Sequence, residues 1–313
     1  MPNRRHAIAG IATTLLAAAP SIVRSQQLVA VRVASTLDDN ATPILYGQQS
    51  GIFKRHGLDV TLQTFSSGAA QAAAVASGAI DIGKTSLFSI ITAHLRGVAF
   101  KLVAGSGLYL SNNPNTGLIV AKDSPIKSGA DLAGKTAACA SLRDLDEISI
   151  RGWVDQHGGD SSTMKFVELP NAAVAQALEV GRVDAATLVN PTLFNATQSG
   201  KIRLLGRSFD SIGRRFLVAV WFCQPALGER SPDTLRRFRE AFREAATYTN
   251  GHHEETVELI AAFSRIDPDV IRKMTRATTA LTLQAGDLQP PIDAAVKYKM
   301  IEKGFPAAEL LAV

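Results

Sequence analysis

Three short segments that contain serine or threonine lie at the carboxyl ends of predicted parallel strands and could together bind an oxyanion. They are Ser66-Ser67-Gly68, Lys84-Thr85-Ser86 and Ser141-Leu142-Arg143. Free N–H groups at a helix start, serine hydroxyls and a guanidinium group all favour a bound anion. The serines could instead only cap their helices, with Arg143 facing water, because capping and anion binding use the same geometry. The sequence leaves both interpretations open.

A further segment, Thr36-Leu37-Asp38-Asp39-Asn40, follows the first predicted strand and carries negative charge. Its carboxylates favour an amine or a zwitterion as ligand, whereas Lys84 and Arg143 favour a small organic anion such as a sulfonate or carboxylate. The sequence therefore leaves the charge of the ligand open. Trp221, Tyr46 and Phe88 could supply an apolar wall for it, although aromatic side chains more often pack in a core.

Motifs that would indicate catalysis or a metal lack the structural context that they need. The segment from Gly129 to Thr136 matches a P-loop, but a turn precedes it and a strand follows, the reverse of a phosphate-binding loop. In His252-His253-Glu254-Glu255, a zinc site would need a second histidine where Val257 stands. Asp81 and Asp184 could be paired catalytic carboxylates or could hydrogen-bond the backbone of turns. We expect no catalytic residues, no metal and no cofactor.

The polar segments belong to two similar α/β units. The stretch from Gly51 to Gly83 is echoed by the stretch from Trp153 to Thr187, and each ends on Gly-x-(Ile/Val)-Asp. Two similar units predict two lobes, and a cleft between lobes is a usual site for a small ligand. Alternating strands and helices indicate doubly wound, mostly parallel sheets, which bind ligands at the carboxyl ends of their strands.

The predicted elements define the lobes. Predicted strands cover residues 28–34, 59–65, 80–83, 101–104, 117–121, 136–140, 164–169, 185–189, 202–205 and 214–223. Predicted helices cover residues 43–53, 68–78, 87–96, 143–157, 172–180, 232–248, 253–263, 267–276 and 292–303. We expect residues 26–122 and 215–313 to form lobe one and residues 123–214 to form lobe two. Two crossings, near residues 121–125 and 214–223, would make a two-strand hinge.

The first 25 residues are predicted to be a secretory signal peptide. Arg4-Arg5 is a basic start, the segment from Ala7 to Ala19 is apolar but too short to span a bilayer, and Val23-Arg24-Ser25 offers a cleavage point. Sec-type export is favoured over twin-arginine export because His6-Ala7 stands where the twin-arginine motif prefers other residues. Cleavage would remove three arginines from a chain of formal charge +5, so the basic charge requires no nucleic-acid partner.

Cys139 and Cys223 are the two cysteines of the chain. An oxidising compartment would permit a disulfide between them, but the sequence cannot show that they meet. Because the predicted layout places them in different lobes, we expect two buried, unpaired thiols.

A combination of motifs across the predicted mature chain resembles one family. The motifs are Gly51-Ile52-Phe53, His56-Gly57-Leu58-Asp59-Val60, Ser77-Gly78-Ala79-Ile80-Asp81, Asp131-Leu132-Ala133-Gly134-Lys135, Ala177-Leu178-Glu179-Val180-Gly181-Arg182-Val183-Asp184-Ala185, Asn190-Pro191 and Gln289-Pro290-Pro291-Ile292-Asp293. They resemble the substrate-binding proteins of ABC importers for sulfonates, taurine and nitrate. These proteins share their domain with thiamine-pyrimidine synthases.

The resemblance implies a type II periplasmic-binding-protein fold with two mixed sheets and C-terminal helices. It implies a periplasmic, monomeric receptor that binds a small molecule, is no enzyme, and delivers its ligand to an ABC permease in the inner membrane. It also places Asn190 at the ligand, although many relatives have an acidic residue there. The synthases use a cysteine-rich segment and a histidine, which two lone cysteines do not reproduce. A synthase-like enzyme and a periplasmic ligand sensor remain the alternatives.

Overall fold

The computed structural model describes residues 27–36, 38–65 and 67–312. The predicted signal peptide, residues 1–25, lies outside the described residues. Within them, no helix combines the length and the apolar character that crossing a membrane requires.

The strands are β1 (Val29–Ser35), β2 (Leu58–Thr64), β3 (Ile82–Ser86), β4 (Lys101–Gly105), β5 (Gly107–Leu110), β6 (Thr116–Ala121), β7 (Thr136–Cys139), β8 (Lys165–Glu168), β9 (Ala185–Val189), β10 (Ile202–Gly206), β11 (Arg215–Leu217), β12 (Ala219–Cys223) and β13 (Thr278–Thr279). The α-helices are α1 (Thr42–Gln49), α2 (Ile52–Arg55), α3 (Gly68–Ala76), α4 (Leu87–Leu95), α5 (Leu145–Gln156), α6 (Asn171–Glu179), α7 (Thr192–Gln198), α8 (Pro225–Arg230), α9 (Pro232–Gly251), α10 (Val257–Ser264), α11 (Pro268–Lys273), α12 (Ala285–Lys297) and α13 (Ala308–Leu311).

The first sheet has the strand order β2-β1-β3-β12-β4. Strand β1 runs parallel to β2 and β3, whereas β12 runs antiparallel to β3 and β4. Helices α1, α2 and α9 cover one face, where Trp221 and Phe238 are buried, and α3, α4 and α12 cover the other, where Phe222 is buried. Burial on both faces explains why the sequence of β1 is nearly continuously apolar, and this apolar run is the pattern that predicted the strand.

The second sheet has the order β10-β6-β9-β7-β8. Strand β7 runs parallel to β8 and β9, and β6 runs antiparallel to β9 and β10. Helix α5 packs on one face through Ile150 and Val154, and α6 packs on the other through Val174 and Leu178. The predicted fold class, two mixed α/β sheets with helices on both faces, is confirmed.

The chain passes between the two sheets through β5 and β11, which pair antiparallel and form a small third sheet with β13. The prediction that the strand at residues 117–121 belongs to lobe one, with a crossing at residues 121–125, was wrong. This strand, β6, pairs with β9 and β10 of the second sheet, so the crossing precedes Thr116. A buried apolar strand has the same sequence pattern in either sheet, and therefore the pattern could not assign it.

Several predicted boundaries also differ from the structure. The helix predicted at residues 43–53 is two helices, because Gly51 adopts a left-handed φ of 73° between them. The strand predicted at residues 214–223 is the pair β11 and β12. The last long helix covers Ala285–Lys297 instead of residues 292–303, with Pro290 and Pro291 inside it. Prolines are more typical of a first helical turn, and this preference misplaced the predicted start.

The two sequence repeats make the same contact in both sheets. The backbone N–H of Asp81 donates to the Arg32 carbonyl (3.0 Å), and its Oδ2 accepts from the Arg32 backbone N–H (2.8 Å). The N–H of Asp184 donates to the Thr136 carbonyl (2.8 Å), and its Oδ2 accepts from the Thr136 N–H (2.8 Å). Each aspartate therefore ties its turn to the neighbouring strand, which is the structural alternative to a catalytic pair.

Both cysteines are buried and unpaired, as predicted. Cys139 lies in β7 of the second sheet, and Cys223 lies in β12 of the first.

Candidate functional site

The predicted polar segments lie where doubly wound sheets bind ligands. Strand β1 has β2 on one side and β3 on the other, and β7 is flanked in the same way by β8 and β9. At such a switch point the connections diverge and leave a crevice at the carboxyl ends of the strands. Both sheets contribute residues near these ends to one cavity of about 560 Å³, a volume typical of small-ligand pockets. The cavity is lined by Ser67, Gly68, Thr85, Ser86, Phe88, Ser89, Thr92, Arg96, Ser141, Leu142, Arg143, Asp144 and Met300.

The start of α3 forms one end of this cavity. Ser67 caps the helix, because its Oγ accepts a hydrogen bond from the Ala70 N–H (3.2 Å). A Cβ atom on Gly68 would lie 2.6 Å from the Thr85 Oγ1, so this close approach requires glycine. Thr85 is only 4% exposed, and its Oγ1 has no hydrogen-bond partner among the described residues. A buried hydroxyl without a described partner has unused hydrogen-bonding capacity, and the adjacent helix N-terminus favours an anion at this end of the cavity.

The loop between β7 and α5 forms the opposite wall. Arg143 has a left-handed φ of 54°, a conformation that costs a non-glycine residue about 1–2 kcal/mol. Its N–H donates to Glu147 Oε2 (2.9 Å), and its guanidinium donates to the Met300 carbonyl (2.8 Å). The predicted helix at residues 143–157 begins only at Leu145, with Asp144 as its N-cap. Arg143 therefore precedes the helix and faces the cavity.

A hydrogen bond between side chains joins the two walls of the cavity. The Ser86 hydroxyl, at the end of β3, donates to the Oδ1 of Asp144, at the start of α5 (2.9 Å). Burial raises the pKa of Asp144, against the opposing effect of hydrogen bonds from the Leu145 N–H and the Ser86 hydroxyl. The end of β3 in the first sheet is thus in direct polar contact with the segment that follows β7 of the second sheet.

Four other predicted site residues meet one another without lining this cavity. The Lys84 ammonium lies 2.5 and 2.6 Å from the two carboxylate oxygens of Asp38. The Thr36 hydroxyl (2.5 Å) and the Asn40 N–H (3.0 Å) also donate to this carboxylate. The Lys84 side chain is 5% exposed, and strand alternation directs it to the face opposite Thr85. Because Asp38 already neutralises it, Lys84 is not the free cation that the sequence suggested.

The structure also places Asn190 and Trp221 outside the cavity lining. The Asn190 side chain donates to the Thr275 carbonyl (2.9 Å) and accepts from the Phe194 N–H (3.1 Å), so it joins the end of β9 to the C-terminal region. Trp221 has no exposed surface and packs edge-on against Phe242, with ring centroids 5.8 Å apart. The expectation that Trp221 forms a ligand wall was wrong, because its ring lies on the face of the first sheet that α9 covers. Phe88 lines the cavity instead.

Three residues that line the cavity were not predicted from the sequence. They are Ser89 and Thr92 in α4 and Arg96, which caps the end of this helix. Their spacing was the available signal, since residues three and four apart share one helix face. Asp144 was also missed, although it directly follows Arg143. Nothing near Met300 in the sequence connects it with the site, because only the fold brings it there.

The carboxyl of Asp146 gives a pH-dependent prediction. Burial, with a further contribution from Asp144, raises the pKa of Asp146 to about 7. The unfolded chain releases this proton near pH 4, so the free energy of unfolding falls between about pH 4 and pH 7 and then levels off. We expect Asp146→Asn to stabilise the protein by about 4 kcal/mol at pH 8, since each pKa unit corresponds to about 1.4 kcal/mol, and by nearly nothing at pH 4. Urea unfolding at both pH values tests this, and an equal effect at both would contradict it.

The fold and the cavity between the two sheets define the class, a periplasmic-binding-protein fold. The chain belongs to the NMT1/THI5-like family, whose sequence profile matches residues 38–256. It is 24% identical over 292 residues to the taurine-binding periplasmic protein of Escherichia coli, covering 90% of this chain and 88% of that protein. The predicted resemblance to sulfonate-, taurine- and nitrate-binding proteins is thereby confirmed.

Two crystal structures show the same fold. The periplasmic aliphatic sulphonate binding protein of Escherichia coli superposes with a TM-score of 0.74 at 20% identity, covering 90% of this chain and 91% of that one. The periplasmic nitrate-binding protein of Synechocystis superposes with a TM-score of 0.73 at 11% identity, covering 92% and 86%. These proteins bind solutes, and the architecture of this chain is theirs.

Proposed function

We propose that the protein is an exported solute-binding receptor of an ABC importer that captures a small organic anion between its two sheets. The observation that carries the proposal is the cavity itself. It joins the start of α3, the Thr85 hydroxyl, which has no hydrogen-bond partner among the described residues, and the Arg143 guanidinium, and these come from both halves of the fold. Its periplasmic relatives support the location and the ABC permease as partner.

The acidic segment after β1 does not argue against an anion. Asp38 is paired with Lys84, and Asp39 is paired with Arg276, so both carboxylates already have cationic partners. An amine would have to displace one of these lysine or arginine groups to reach them. The side chains left to meet a ligand in the cavity are mainly hydroxyls and guanidinium groups, which favour an oxyanion.

We propose two lobes, one on each large sheet, that close on the ligand about β5 and β11. The hydrogen bonds from Ser86 to Asp144 and from Arg143 to Met300 support this, because a bound ligand would add contacts across the same gap. A ligand shifts an open–closed equilibrium only through such differential contacts. The permease would then recognise the closed shape.

A binding role is favoured over a catalytic one. Burial raises the pKa of the Cys223 thiol to about 11 and raises the pKa of Cys139 further. Neither cysteine therefore supplies a thiolate near neutral pH, as a nucleophile must. The carboxylates of Asp81 and Asp184 accept hydrogen bonds from backbone N–H groups of the neighbouring strands, so both residues have a structural role.

The proposal is tested by thermal shift across sulfonates, carboxylates, nitrate and pyrimidines, since a ligand of the native state raises its stability. We expect anions to raise the melting temperature and pyrimidines to leave it unchanged. Titration calorimetry should then show that Arg143→Gln weakens the best anion about ten- to hundredfold, the usual loss for a charged hydrogen bond. Unchanged affinity in Arg143→Gln, or a response to pyrimidines alone, would count against an anion receptor.

A further inference from the structure

The polar face of α4 extends the cavity away from the start of α3. Ser89, Thr92 and Arg96 lie on one side of the helix and all line the cavity. From Ser89 to Arg96 the helix rises about 10 Å, because each residue adds about 1.5 Å. A ligand that contacts this whole face is therefore longer than one compact anionic group.

The α3 end of the cavity is suited to one anionic group. Helix α3 has nine residues, so its N-terminus carries an appreciable partial positive charge. The Thr85 hydroxyl beside it is buried and lacks a partner in the described chain, so its hydrogen-bonding capacity is unused. Gly68 is the residue that lets the helix start come this close to the hydroxyl.

The cavity has a second position for an anionic group, at the Arg96 guanidinium. Arg96 and Arg143 both line it, and neither forms a salt bridge within the described ranges. Asp144 supplies one carboxylate, which already accepts the Ser86 hydroxyl. The N-terminus of α3 and the Arg96 guanidinium are thus two separate positions that each favour an anionic group. A dianion can contact both positions, whereas a monoanion contacts one.

We propose that the ligand is an elongated dianion, with one oxyanion at the start of α3 and the second at the Arg96 guanidinium. This inference rests on the proposed anion-receptor function and specifies its ligand class. Arg96 would be the residue that distinguishes dianions from monoanions, since a planar guanidinium can donate two parallel hydrogen bonds to an oxyanion.

Two probes with the same carbon chain test the proposal: pentane-1,5-disulfonate and pentane-1-sulfonate. Titration calorimetry of the wild type is expected to show the disulfonate binding at least about tenfold more tightly. Arg96→Gln should weaken the disulfonate about tenfold or more and the monosulfonate less than about threefold. Arg96 is exposed, so this substitution should leave the fold intact.

Arg182→Gln is the matched control. Arg182 is exposed, does not line the cavity and precedes the amino-terminal end of β9, whereas the cavity lies at the carboxyl ends of the strands, so this variant removes the same charge without touching the site. Both affinities should stay at their wild-type values. Equal wild-type affinity for the two probes, or an equal loss of both in Arg96→Gln, would overturn the dianion and leave an anion receptor standing. If neither probe nor any other anion binds, the proposed function itself fails.

Discussion

Replacing Asp39 with alanine should lower the free energy of unfolding by about 3–5 kcal/mol, the usual effect of breaking a buried ion pair. The side chains of Asp39 and Arg276 are 6% and 5% exposed, and their closest N–O distance is 2.7 Å. Asp39 Oδ2 also accepts the Ala277 N–H (2.7 Å). The variant would leave the Arg276 guanidinium buried without its counter-charge, and this uncompensated charge is the main source of the loss.

Urea unfolding of Asp39→Ala beside Asp233→Ala measures this effect. Asp233 is 60% exposed and pairs with Arg236 and Arg237 of its own helix, so that loss should stay near or below about 1 kcal/mol. The double variant Asp39→Leu with Arg276→Met should recover much of the stability, because it leaves no buried charge. Equal losses in the two single variants would show that Asp39 and Arg276 are not a buried pair.

Replacing Trp221 with alanine should cost about 3–5 kcal/mol of unfolding free energy, as expected for deleting a large buried aromatic ring. Trp221 has no exposed surface and contacts the cluster of Phe242 and its neighbours between the first sheet and α9. Its Nε1 has no hydrogen-bond partner among the described residues. Trp221→Phe should therefore cost much less than Trp221→Ala, since it retains most of the ring and breaks no hydrogen bond.

Anion affinity distinguishes this core role from a ligand contact. Both Trp221 variants that remain folded should bind the best anion as tightly as the wild type, because the ring does not line the cavity. Calorimetry below the melting temperature of each variant provides the measurement. A tenfold loss of affinity in Trp221→Phe, with little loss of stability, would contradict the core role and show that Trp221 contacts the ligand.

Much of the fold was predictable because its signals are local. The spacing of apolar residues, together with the turn residues, predicted the strands and helices around the two repeats. The resemblance to a known family predicted the two-sheet architecture. The sheet to which β6 belongs could not be predicted, since its apolar pattern does not depend on which strands it pairs with. The short α7 and β13 were missed for the same kind of reason, because their residues carry no strong periodic pattern.

The site was predictable where it follows strand ends. Ser67, Gly68, Thr85, Ser86, Ser141, Leu142 and Arg143 do line one cavity. The partners of Lys84 and Trp221 could not be read from the sequence. Whether the Lys84 side chain contacts a ligand or Asp38 depends on which face of β3 it occupies. A shift of β3 by one residue in its pairing register would move Lys84 to the other face.

The most direct measurement is a crystal structure of the protein with the tightest-binding anion from the thermal-shift screen. We expect the anion in the cavity between the sheets, with an oxygen within hydrogen-bond distance of the Thr85 hydroxyl and another contact to the Arg143 guanidinium. An anion bound elsewhere, with this cavity empty, would contradict the central claim that the two sheets hold the ligand between them.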